Sequence, residues 1–330
     1  MSKHHFSRRE FLGTILAGLA AGTSCISKKQ KNQPGGIPTR PLGHTGEQLS
    51  ILCLGGWDVA VHKDKAVSIM HEAIDNGINF FDNCWEYHDG YAEEVMGEAL
   101  NQNGYRNKVF LMTKVCGRNY KDAKQHLEDS LTRLKTDVID LWQFHAIKWQ
   151  DDPQLVMDRE NGALRAALEA KKEGKIRYIG FTGHADPNVH LRMLDHDFQW
   201  DAVQIPLNVL DAHYRSFQHN VMPVLNDKNI GVLGMKSLAA QDGRIVRDLG
   251  ISANIARRYS MSLPITSLVA GIQTREELQH DIELARDFEP LTEEEVKEVL
   301  AISEEEAQDG MIERYKTGDY GCNWHHNKYA

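Results

Sequence analysis

The sequence predicts an α/β protein folded as a (β/α)8 barrel, and three observations lead to that prediction. Eight short segments rich in β-branched and aromatic residues alternate with segments whose apolar residues recur every three or four positions. Parallel strands need helical connections of this kind, and eight strand–helix units in about 250 residues are typical of a closed barrel. The alternative, an open doubly wound sheet, usually carries a G-x-G-x-x-G turn after its first strand, whereas this chain has LGGWDV.

The eight predicted strands are short, and turn residues bound each of them. They cover residues 49–55, 78–82, 109–115, 138–144, 176–182, 201–206, 230–236 and 265–271. The clearest helical patterns cover residues 64–77, 92–104, 123–135 and 163–175. A further helix is predicted over 292–308, outside the eight units. We therefore expect a single barrel domain over residues 39–290, followed by a C-terminal helix and tail over residues 291–330.

Composition and charge indicate an ordinary globular protein that does not bind nucleic acid. The chain has 330 residues, of which 41% are hydrophobic and 26% are charged. Its formal net charge is −9, and an acidic surface repels phosphate backbones. Nucleic acid is therefore not expected as a partner.

The N-terminus resembles an export signal. Arg8 and Arg9 precede an apolar stretch, residues 11–21, which is too short to span a bilayer because about 20 apolar residues are needed. A charged start, a short apolar core and small residues after it are typical of a twin-arginine signal peptide, here over residues 1–25. A flexible linker over residues 26–38 follows. We expect the twin-arginine export machinery to carry the protein to the periplasm; a lipid anchor on Cys25 and soluble release both stay open.

Four ionisable residues follow neighbouring strands at the end of the barrel where barrel enzymes carry their chemistry. Asp82 ends the second predicted strand, and Tyr87 stands in the loop after it. Lys114 lies near the end of the third strand, and His145 directly follows the fourth. Each residue alone has an ordinary structural explanation, as a helix cap, a surface lysine or a core histidine. Their occurrence together on adjacent strands predicts one catalytic cluster.

The expected chemistry of this cluster is proton transfer. Asp82 would neutralise Lys114, and the Lys114 ammonium would lower the pKa of the Tyr87 phenol towards working pH. The phenol would then act as a general acid and base. His145 would donate a hydrogen bond to a carbonyl oxygen and stabilise the charge that develops there.

Over nearly all of the chain beyond the linker, as far as the residues near 285, the sequence resembles the aldo-keto reductases. The resemblance rests on GINFFDNCWEYHDGYAEEVMGEAL, VFLMTK, SLTRLKTDVIDLWQFHA, IRYIGFTGH and AVQIPLN. Residue by residue, the catalytic Asp, Tyr, Lys and His of that family fall on the four residues of the cluster. The resemblance implies a (β/α)8 oxidoreductase that transfers hydride, without metal, between a nicotinamide cofactor and an aldehyde, ketone or alcohol.

The resemblance also implies a binding site for NADP or NAD. The residues that it places around the cofactor are Gly56, Trp57, Asp82, Thr182, Gly183, Gln204, Met235, Lys236, Ser237, Leu238, Gly271, Gln273, Thr274, Arg275, Glu277 and Asp281. The family's carboxamide-binding asparagine is replaced by Gly183, and its stacking tyrosine by Met235. Carboxylates at 277 and 281, where many members carry a basic residue and an asparagine, disfavour NADPH, although Arg275 could compensate. The choice between the two cofactors stays open.

The substrate pocket is expected in the loops after the first, second and fifth strands, and its candidate residues are Trp57, Trp85, His88 and His184. Two other functions remain as alternatives. A barrel that binds nicotinamide without turnover would serve as a sensor or subunit. A metal-dependent hydrolase would use His88, His145, His184 and Asp82, but close ligand spacings such as H-x-H are missing, so no metal is expected.

Two cysteines lie beside the predicted cluster. Cys84 and Cys116 each follow a catalytic position by two residues, on the rims of adjacent strands. We hypothesise that their thiols approach each other, so that an oxidising compartment could join them in a disulfide. Their ordinary explanation is that both are small buried residues that fill the core.

Overall fold

The computed structural model of the chain describes residues 36–240 and 242–318. The predicted signal peptide, the linker up to residue 35 and the end of the tail from residue 319 lie outside the described residues. The strands are Thr39–Pro41 (β1), Gln48–Ser50 (β2), Leu52–Gly55 (β3), Phe80–Asp82 (β4), Phe110–Val115 (β5), Ile139–Phe144 (β6), Ile176–Thr182 (β7), Ala202–Pro206 (β8), Gly231–Met235 (β9) and Ser267–Ala270 (β10).

Helices connect the strands and follow the last of them. The α-helices are Gly56–Val59 (α1), Lys63–Asp75 (α2), Tyr91–Leu100 (α3), Tyr120–Leu134 (α4), Asp152–Met157 (α5), Ala163–Lys172 (α6), Pro187–Leu194 (α7), Phe217–Asn220 (α8), Met222–Asp227 (α9), Arg244–Leu249 (α10), Ala253–Ser262 (α11), Arg275–Arg286 (α12), Glu293–Glu304 (α13) and Arg314–Thr317 (α14). Two short 3-10 helices, Tyr87–Gly90 and Tyr105–Lys108, precede α3 and β5. Within the described part of the chain, no helix combines the length and the apolar character that a membrane span requires.

Strands β3 to β10 form a closed parallel barrel in chain order, with β10 paired to β3. The order follows from the helical connection after each strand, because a helix returns the chain to the same end of the sheet. Each of the eight barrel strands lies within or overlaps one of the eight predicted segments, and the fold class is confirmed. The domain boundaries given above stay predictions.

The first predicted strand combines two different strands. Residues 48–50 form β2, which pairs antiparallel with β1, and the barrel strand β3 begins only at Leu52. This hairpin lies at the N-terminal end of the barrel, where a Cβ atom on Gly43 would be 2.5 Å from the backbone nitrogen of Gly231. Residues 48–55 are apolar enough to be one strand, and strand periodicity does not reveal a change of partner between residues 50 and 52.

Apolar side chains fill the barrel interior and the layer between barrel and helices. Buried residues of the interior include Phe80, Met112, Leu141 and Leu233. The outer layer is continuous around the barrel and contains large rings such as that of Trp142. Close packing on both faces of every strand holds the strand ends, and therefore the loops after them, in a fixed arrangement.

The segment after α13 was predicted only as a polar tail, but its first part is buried. Lys316 donates to Asp211 at 2.7 Å and lies 2.8 Å from Glu313. The Tyr315 hydroxyl donates to Glu313 at 2.6 Å and accepts from the side-chain nitrogen of Asn208 at 2.9 Å. These contacts attach residues 313–316, which we call the C-terminal strap, to the loop after β8. Such a segment has no apolar period by which the sequence could reveal it.

A buried carboxyl group under the helix layer makes stability depend on pH. Glu93 of α3 is fully buried and accepts from the Thr113 hydroxyl at 2.6 Å. Burial raises the pKa of Glu93 to about 7. Between the ordinary glutamate pKa of 4.5 and this raised value, the folded protein holds a proton that an unfolded glutamate has already released. Protonation of Glu93 therefore contributes to the free energy of unfolding in full below pH 4.5, and the contribution is lost as the pH rises through 7.

Glu93→Gln is expected to remove this dependence, because glutamine stays neutral at every pH. Between pH 4.5 and 7.5 the free energy of unfolding of the wild type should fall relative to Glu93→Gln by about 3 kcal/mol. Urea denaturation across this range measures the difference. Glu94→Gln, an exposed neighbour on the same helix, is the matched control and should run parallel to the wild type. Parallel curves for Glu93→Gln as well would contradict the expected protonation of Glu93.

Candidate active site

The four predicted catalytic residues form one cluster at the C-terminal end of the barrel. The Lys114 ammonium, which is 1% exposed, donates to the Asp82 carboxylate, to the Asn83 carbonyl oxygen at 2.7 Å and to the Tyr87 hydroxyl at 3.2 Å. The rings of Tyr87 and His145 meet edge to face with their centroids 5.8 Å apart. A phenol, an ammonium, a carboxylate and an imidazole therefore lie together.

Strand register and local turns bring these side chains together. Asp82 pairs with Gly55 on one side and with Met112 on the other, two residues before Lys114. The side chain of Asn83 accepts from the Cys84 backbone nitrogen at 2.8 Å and so holds the turn after β4. A Cβ atom on Gly56 would lie 2.5 Å from the Asp82 carbonyl oxygen, so only glycine permits α1 to start this close to the cluster.

A strained turn fixes the chain directly after Tyr87. His88 and Asp89 have φ angles of 51° and 56°, in the left-handed region that side chains with a Cβ rarely occupy. The imidazole Nε2 of His88 lies 2.8 Å from the Trp57 carbonyl oxygen. Backbone strain of this kind persists only where surrounding contacts enforce it, and it is common at functional sites.

The net shift of the Tyr87 pKa is upward, opposite to the predicted direction. Burial raises the pKa of Tyr87 well above 10, and the negative charge of Asp82 raises this pKa further. The cost of desolvating a phenolate, together with the nearby negative charge, therefore outweighs the stabilisation that the Lys114 ammonium offers. The phenol therefore keeps its proton at neutral pH and is suited to donating it.

The two cysteines that were predicted to lie beside the cluster, Cys84 and Cys116, both lie close to the His145 ring. The imidazole Nδ1 of His145 lies 3.3 Å from the Cys84 sulfur and 3.7 Å from the Cys116 sulfur. It also lies 3.1 Å from a carboxylate oxygen of Glu86. The approach of the two thiols is thus confirmed, while they are not bonded to each other in this structure. The disulfide itself stays a prediction.

The pKa of Cys84 is also shifted. Burial on its own would raise this pKa, but a hydrogen bond with Cys116 and the interaction with His145 outweigh burial and lower the pKa of Cys84 to about 6. A thiol with such a pKa is largely thiolate at neutral pH.

The carboxamide-binding part of the predicted cofactor site fits an amide group. Thr182 and Gln204 face each other across β7 and β8, and both are buried. The side-chain oxygen of Gln204 has no hydrogen-bond partner among the described residues. A buried acceptor without a donor is costly, and the amide of a nicotinamide would supply one.

The structure explains why the family's asparagine is replaced by Gly183. A Cβ atom at this position would lie 2.2 Å from the carbonyl oxygen of Ile147 and 2.6 Å from the His190 ring. The loop after β6 therefore occupies the space of any side chain. Gln204 and Thr182 remain as the polar groups for the carboxamide.

Near the predicted cofactor residues at the end of β9 and after β10 lies a carboxylate, that of Asp58, which the sequence did not indicate. Met235 ends the strand, Ser237 is buried, and Leu238 packs against the apolar residues near α10 and α11. Burial lowers the pKa of Lys236 to about 8, although the charge of Asp58 opposes this shift. Asp58 also accepts from the Gln273 amide at 3.2 Å. It thereby joins the loops after the first and last barrel strands.

Asp58 and Gly271 lie in direct contact, since a Cβ atom on Gly271 would be 2.2 Å from a carboxylate oxygen of Asp58. Burial raises the pKa of Asp58. The only sequence signal for this residue was its place in the LGGWDV turn.

The predicted phosphate-binding segment begins α12, and protein groups already occupy its polar atoms. Thr274 and Glu277 form a capping box, in which the Glu277 carboxylate accepts from the backbone nitrogens of Gln273 at 2.7 Å and of Thr274 at 3.1 Å. Arg275 pairs with Glu72 at 2.8 Å. Asp281 forms a buried ion pair with Arg257.

The predicted substrate residues divide into two groups. Trp57 lies edge to face against Tyr87 at 5.2 Å and contacts the His88 ring at 4.4 Å, so both rings border the phenol. His184 is buried, and its ring lies 5.5 Å from that of Tyr315. Tyr315 of the C-terminal strap, which sequence reasoning missed, therefore lines the same end of the barrel.

Trp85, like Tyr87, packs against the apolar cluster of Cys84, Cys116 and Ala146, and its polar and stacking contacts are with α4. Its ring stacks on His126 at 3.5 Å, and its indole nitrogen donates to Asp129 at 3.0 Å, both on α4. These contacts are those of a residue that packs a loop against the helix layer.

A model of the aldo/keto reductase family matches residues 51–245, more than half of the chain. Among curated proteins, "Uncharacterized oxidoreductase YqkF" of Bacillus subtilis (strain 168) is 35% identical over 163 residues, which cover 46% of this chain and 50% of that protein. "L-galactose dehydrogenase" of Arabidopsis thaliana is 28% identical over 224 residues, which cover 62% and 66%. The chain thus spans between half and two thirds of the length of these relatives.

Among solved structures, an aldo-keto reductase from Klebsiella pneumoniae in complex with NADPH superposes with a TM-score of 0.68 and 21% identity. The match covers 81% of this chain and 95% of that one. At this level of identity the likeness establishes the fold.

Proposed function

Because this chain belongs to the aldo/keto reductase family, we propose that it is an oxidoreductase that transfers hydride between NAD or NADP and a small aldehyde, ketone or alcohol. The observation that carries the proposal is the Lys114 ammonium, which lies between the Asp82 carboxylate and the Tyr87 hydroxyl. Such an arrangement suits a reaction in which an oxygen atom gains or loses a proton. Loss of turnover in Tyr87→Phe is the test, and its design is given in the Discussion.

A nicotinamide cofactor, when bound, would supply the hydride, and Thr182 and Gln204 would hold its carboxamide. In the reducing direction the substrate carbonyl oxygen would lie between Tyr87 and His145. The Tyr87 hydroxyl gives its proton to this oxygen as the carbonyl carbon becomes tetrahedral, so the product is a neutral alcohol. Lys114 stabilises the phenolate that remains until solvent returns the proton, and Asp82 holds Lys114 in place.

We infer a preference for NAD over NADP. By resemblance, the 2′-phosphate of NADP would approach Glu277. The carboxylate of Glu277 already accepts from the backbone N–H groups at the start of α12, which are the groups that otherwise bind anions. A phosphate would meet a like charge there, and Arg275 would have to leave Glu72 to compensate.

Glu277→Gln is expected to raise the affinity for NADPH about tenfold, or about 1.4 kcal/mol, with little change for NADH. Glutamine keeps the capping box and removes only the charge. Fluorescence titration with both reduced cofactors measures the ratio of dissociation constants. Glu276→Gln, which removes an exposed charge from the same helical turn, is the matched control. An unchanged ratio in Glu277→Gln would contradict the inferred origin of the preference.

We further propose that the protein is exported, since Arg8 and Arg9 precede a short apolar stretch. Export in the folded state allows a cofactor to travel inside the protein, and a compartment without free nicotinamide would require this. Native mass spectrometry of protein recovered from its natural compartment should find bound cofactor. Recovery from the cytoplasm with the first 25 residues intact would contradict export.

A further inference from the structure

We propose that Cys84, Glu86, Cys116 and His145 form a binding site for a thiophilic divalent cation, zinc foremost. Each residue offers one ligand atom, and the four atoms all lie within 4.8 Å of one another. Among the described residues this is the group of side chains arranged closely enough to hold a metal ion. The proposed hydride transfer uses only His145 of the four.

The distances between the ligand atoms match those around a tetrahedral ion. Zinc–sulfur bonds of about 2.3 Å and zinc–nitrogen bonds of about 2.0 Å imply about 3.5 Å between neighbouring ligand atoms. The observed distances from His145 Nδ1 are 3.3 Å to Cys84, 3.7 Å to Cys116 and 3.1 Å to Glu86. These three distances lie within a few tenths of an ångström of that value, and the remaining pairs of ligand atoms lie within 4.8 Å of each other.

The donor types select the metal. Two sulfurs and one imidazole nitrogen favour zinc and similar ions, whereas magnesium and calcium take oxygen ligands. Cys84 and Cys116 are fully buried and His145 is 7% exposed, while the side chain of Glu86 is 25% exposed. The site thus has three buried ligands and one at its open side. Thiolates are the ligands, so a thiol that is still protonated would release its proton to solvent on binding.

A disulfide explains less of the same arrangement. Joining the two sulfurs would use only two of the four ligand atoms and would leave the pair of His145 Nδ1 and the Glu86 carboxylate outside the bond. The four residues come from loops after three adjacent strands, β4, β5 and β6. A cation would connect these loops directly beside Tyr87.

The cation would also determine which nitrogen of His145 carries the proton. Nδ1 lies 3.1 Å from Glu86, and a neutral ring that donates from Nδ1 has an acceptor at Nε2. With a metal ion on Nδ1, the proton of a neutral ring must be on Nε2. The loaded protein would therefore present the hydrogen-bond donor that a carbonyl oxygen requires.

Metal analysis of the untagged full-length chain tests the proposal. Protein prepared with zinc and then passed over a chelating resin should retain one equivalent by inductively coupled plasma mass spectrometry. The double variant Cys84→Ser/Cys116→Ser should lose it. Cys53→Ser, which removes a thiol buried in the barrel interior, is the matched control and should retain it. Retention by the double variant, or less than a tenth of an equivalent in the wild type, would overturn the site.

Cobalt gives a second readout that needs no variant. One equivalent of Co²⁺ added to the reduced wild type should produce thiolate-to-cobalt absorption in the near ultraviolet and the visible bands of a tetrahedral ion. Glu86→Gln should keep these bands and weaken the affinity about 10- to 100-fold. Absence of the bands, or mass mapping that finds Cys84 and Cys116 joined in the protein as isolated, would reject the metal site. Neither result bears on the role of Tyr87.

Discussion

Replacing Tyr87 by phenylalanine is expected to lower the rate of carbonyl reduction by about 10³-fold and to leave the affinity for the nicotinamide cofactor within twofold. The variant loses only the hydroxyl that donates the proton, and general acid catalysis by one side chain contributes about 10²- to 10⁴-fold. The ring remains and keeps its contact with Trp57. Stopped-flow turnover with a panel of small aldehydes and ketones measures the rate, and fluorescence titration measures cofactor binding.

The pH dependence of the wild type belongs to the same prediction. Because burial raises the pKa of Tyr87 well above 10, the phenol is protonated throughout the neutral range. Carbonyl reduction should therefore stay level up to neutral pH, while alcohol oxidation, which needs the phenolate, should rise towards alkaline pH. In Tyr87→Phe the alkaline rise should disappear.

Tyr105→Phe is the matched control. It removes a hydroxyl that donates to Asp75 at 2.9 Å on the surface, before β5 and away from the catalytic cluster, and its turnover should equal that of the wild type. Wild-type turnover by Tyr87→Phe would reject the catalytic assignment. A wild type that binds cofactor but reduces no carbonyl compound would favour a nicotinamide-binding sensor or subunit.

Lys114→Met is expected both to abolish turnover and to destabilise the fold by about 3–5 kcal/mol. The substitution leaves the Asp82 carboxylate, which is 3% exposed, without its ammonium partner. Removing one member of a buried ion pair costs more than the pair contributes, because the remaining charge stays desolvated. Urea denaturation at pH 7 measures the free energy of unfolding.

A second substitution separates stability from catalysis. In Lys114→Met/Asp82→Asn no buried charge is left unpaired, so most of the lost stability should return while turnover stays absent. Lys108→Met is the matched control, because Lys108 is 54% exposed and lies 3.7 Å from Asp75. Exposed pairs contribute at most about 1 kcal/mol. A double variant as unstable as Lys114→Met would show that the cost has another origin.

The barrel and its catalytic cluster could be predicted because both depend on local patterns. Alternating strand and helix periods specify the topology, and each of the four residues stands within five positions of a strand end, which decides where it lies in the fold. The hairpin before β3 was missed since its second strand merges with the barrel strand in the sequence. The pKa of Tyr87 depends on burial and on the negative charge of Asp82, and neither effect can be read from spacing.

The other functional residues could not be predicted from the sequence because they depend on contacts between distant parts of the chain. A search for closely spaced ligands could not find the group around His145 Nδ1, because its members come from the ends of three different strands. Asp58 and Tyr315 gain their positions from residues more than 100 positions away, Gln273 and Asn208. The sequence indicated that the charge of Glu277 disfavours NADPH. It did not show that the Glu277 carboxylate caps α12, because that contact depends on where the helix begins.

The C-terminal strap has a consequence for how the protein is made. Tyr315 stands beside His184 and Lys236, and the strap is synthesised after all eight barrel strands. A nascent chain that already contains all eight barrel strands therefore still lacks Tyr315 beside His184, and Asp211 is not yet joined to Lys316. The contacts of Tyr315 with His184 and Lys236 can therefore form only after every barrel strand has been synthesised.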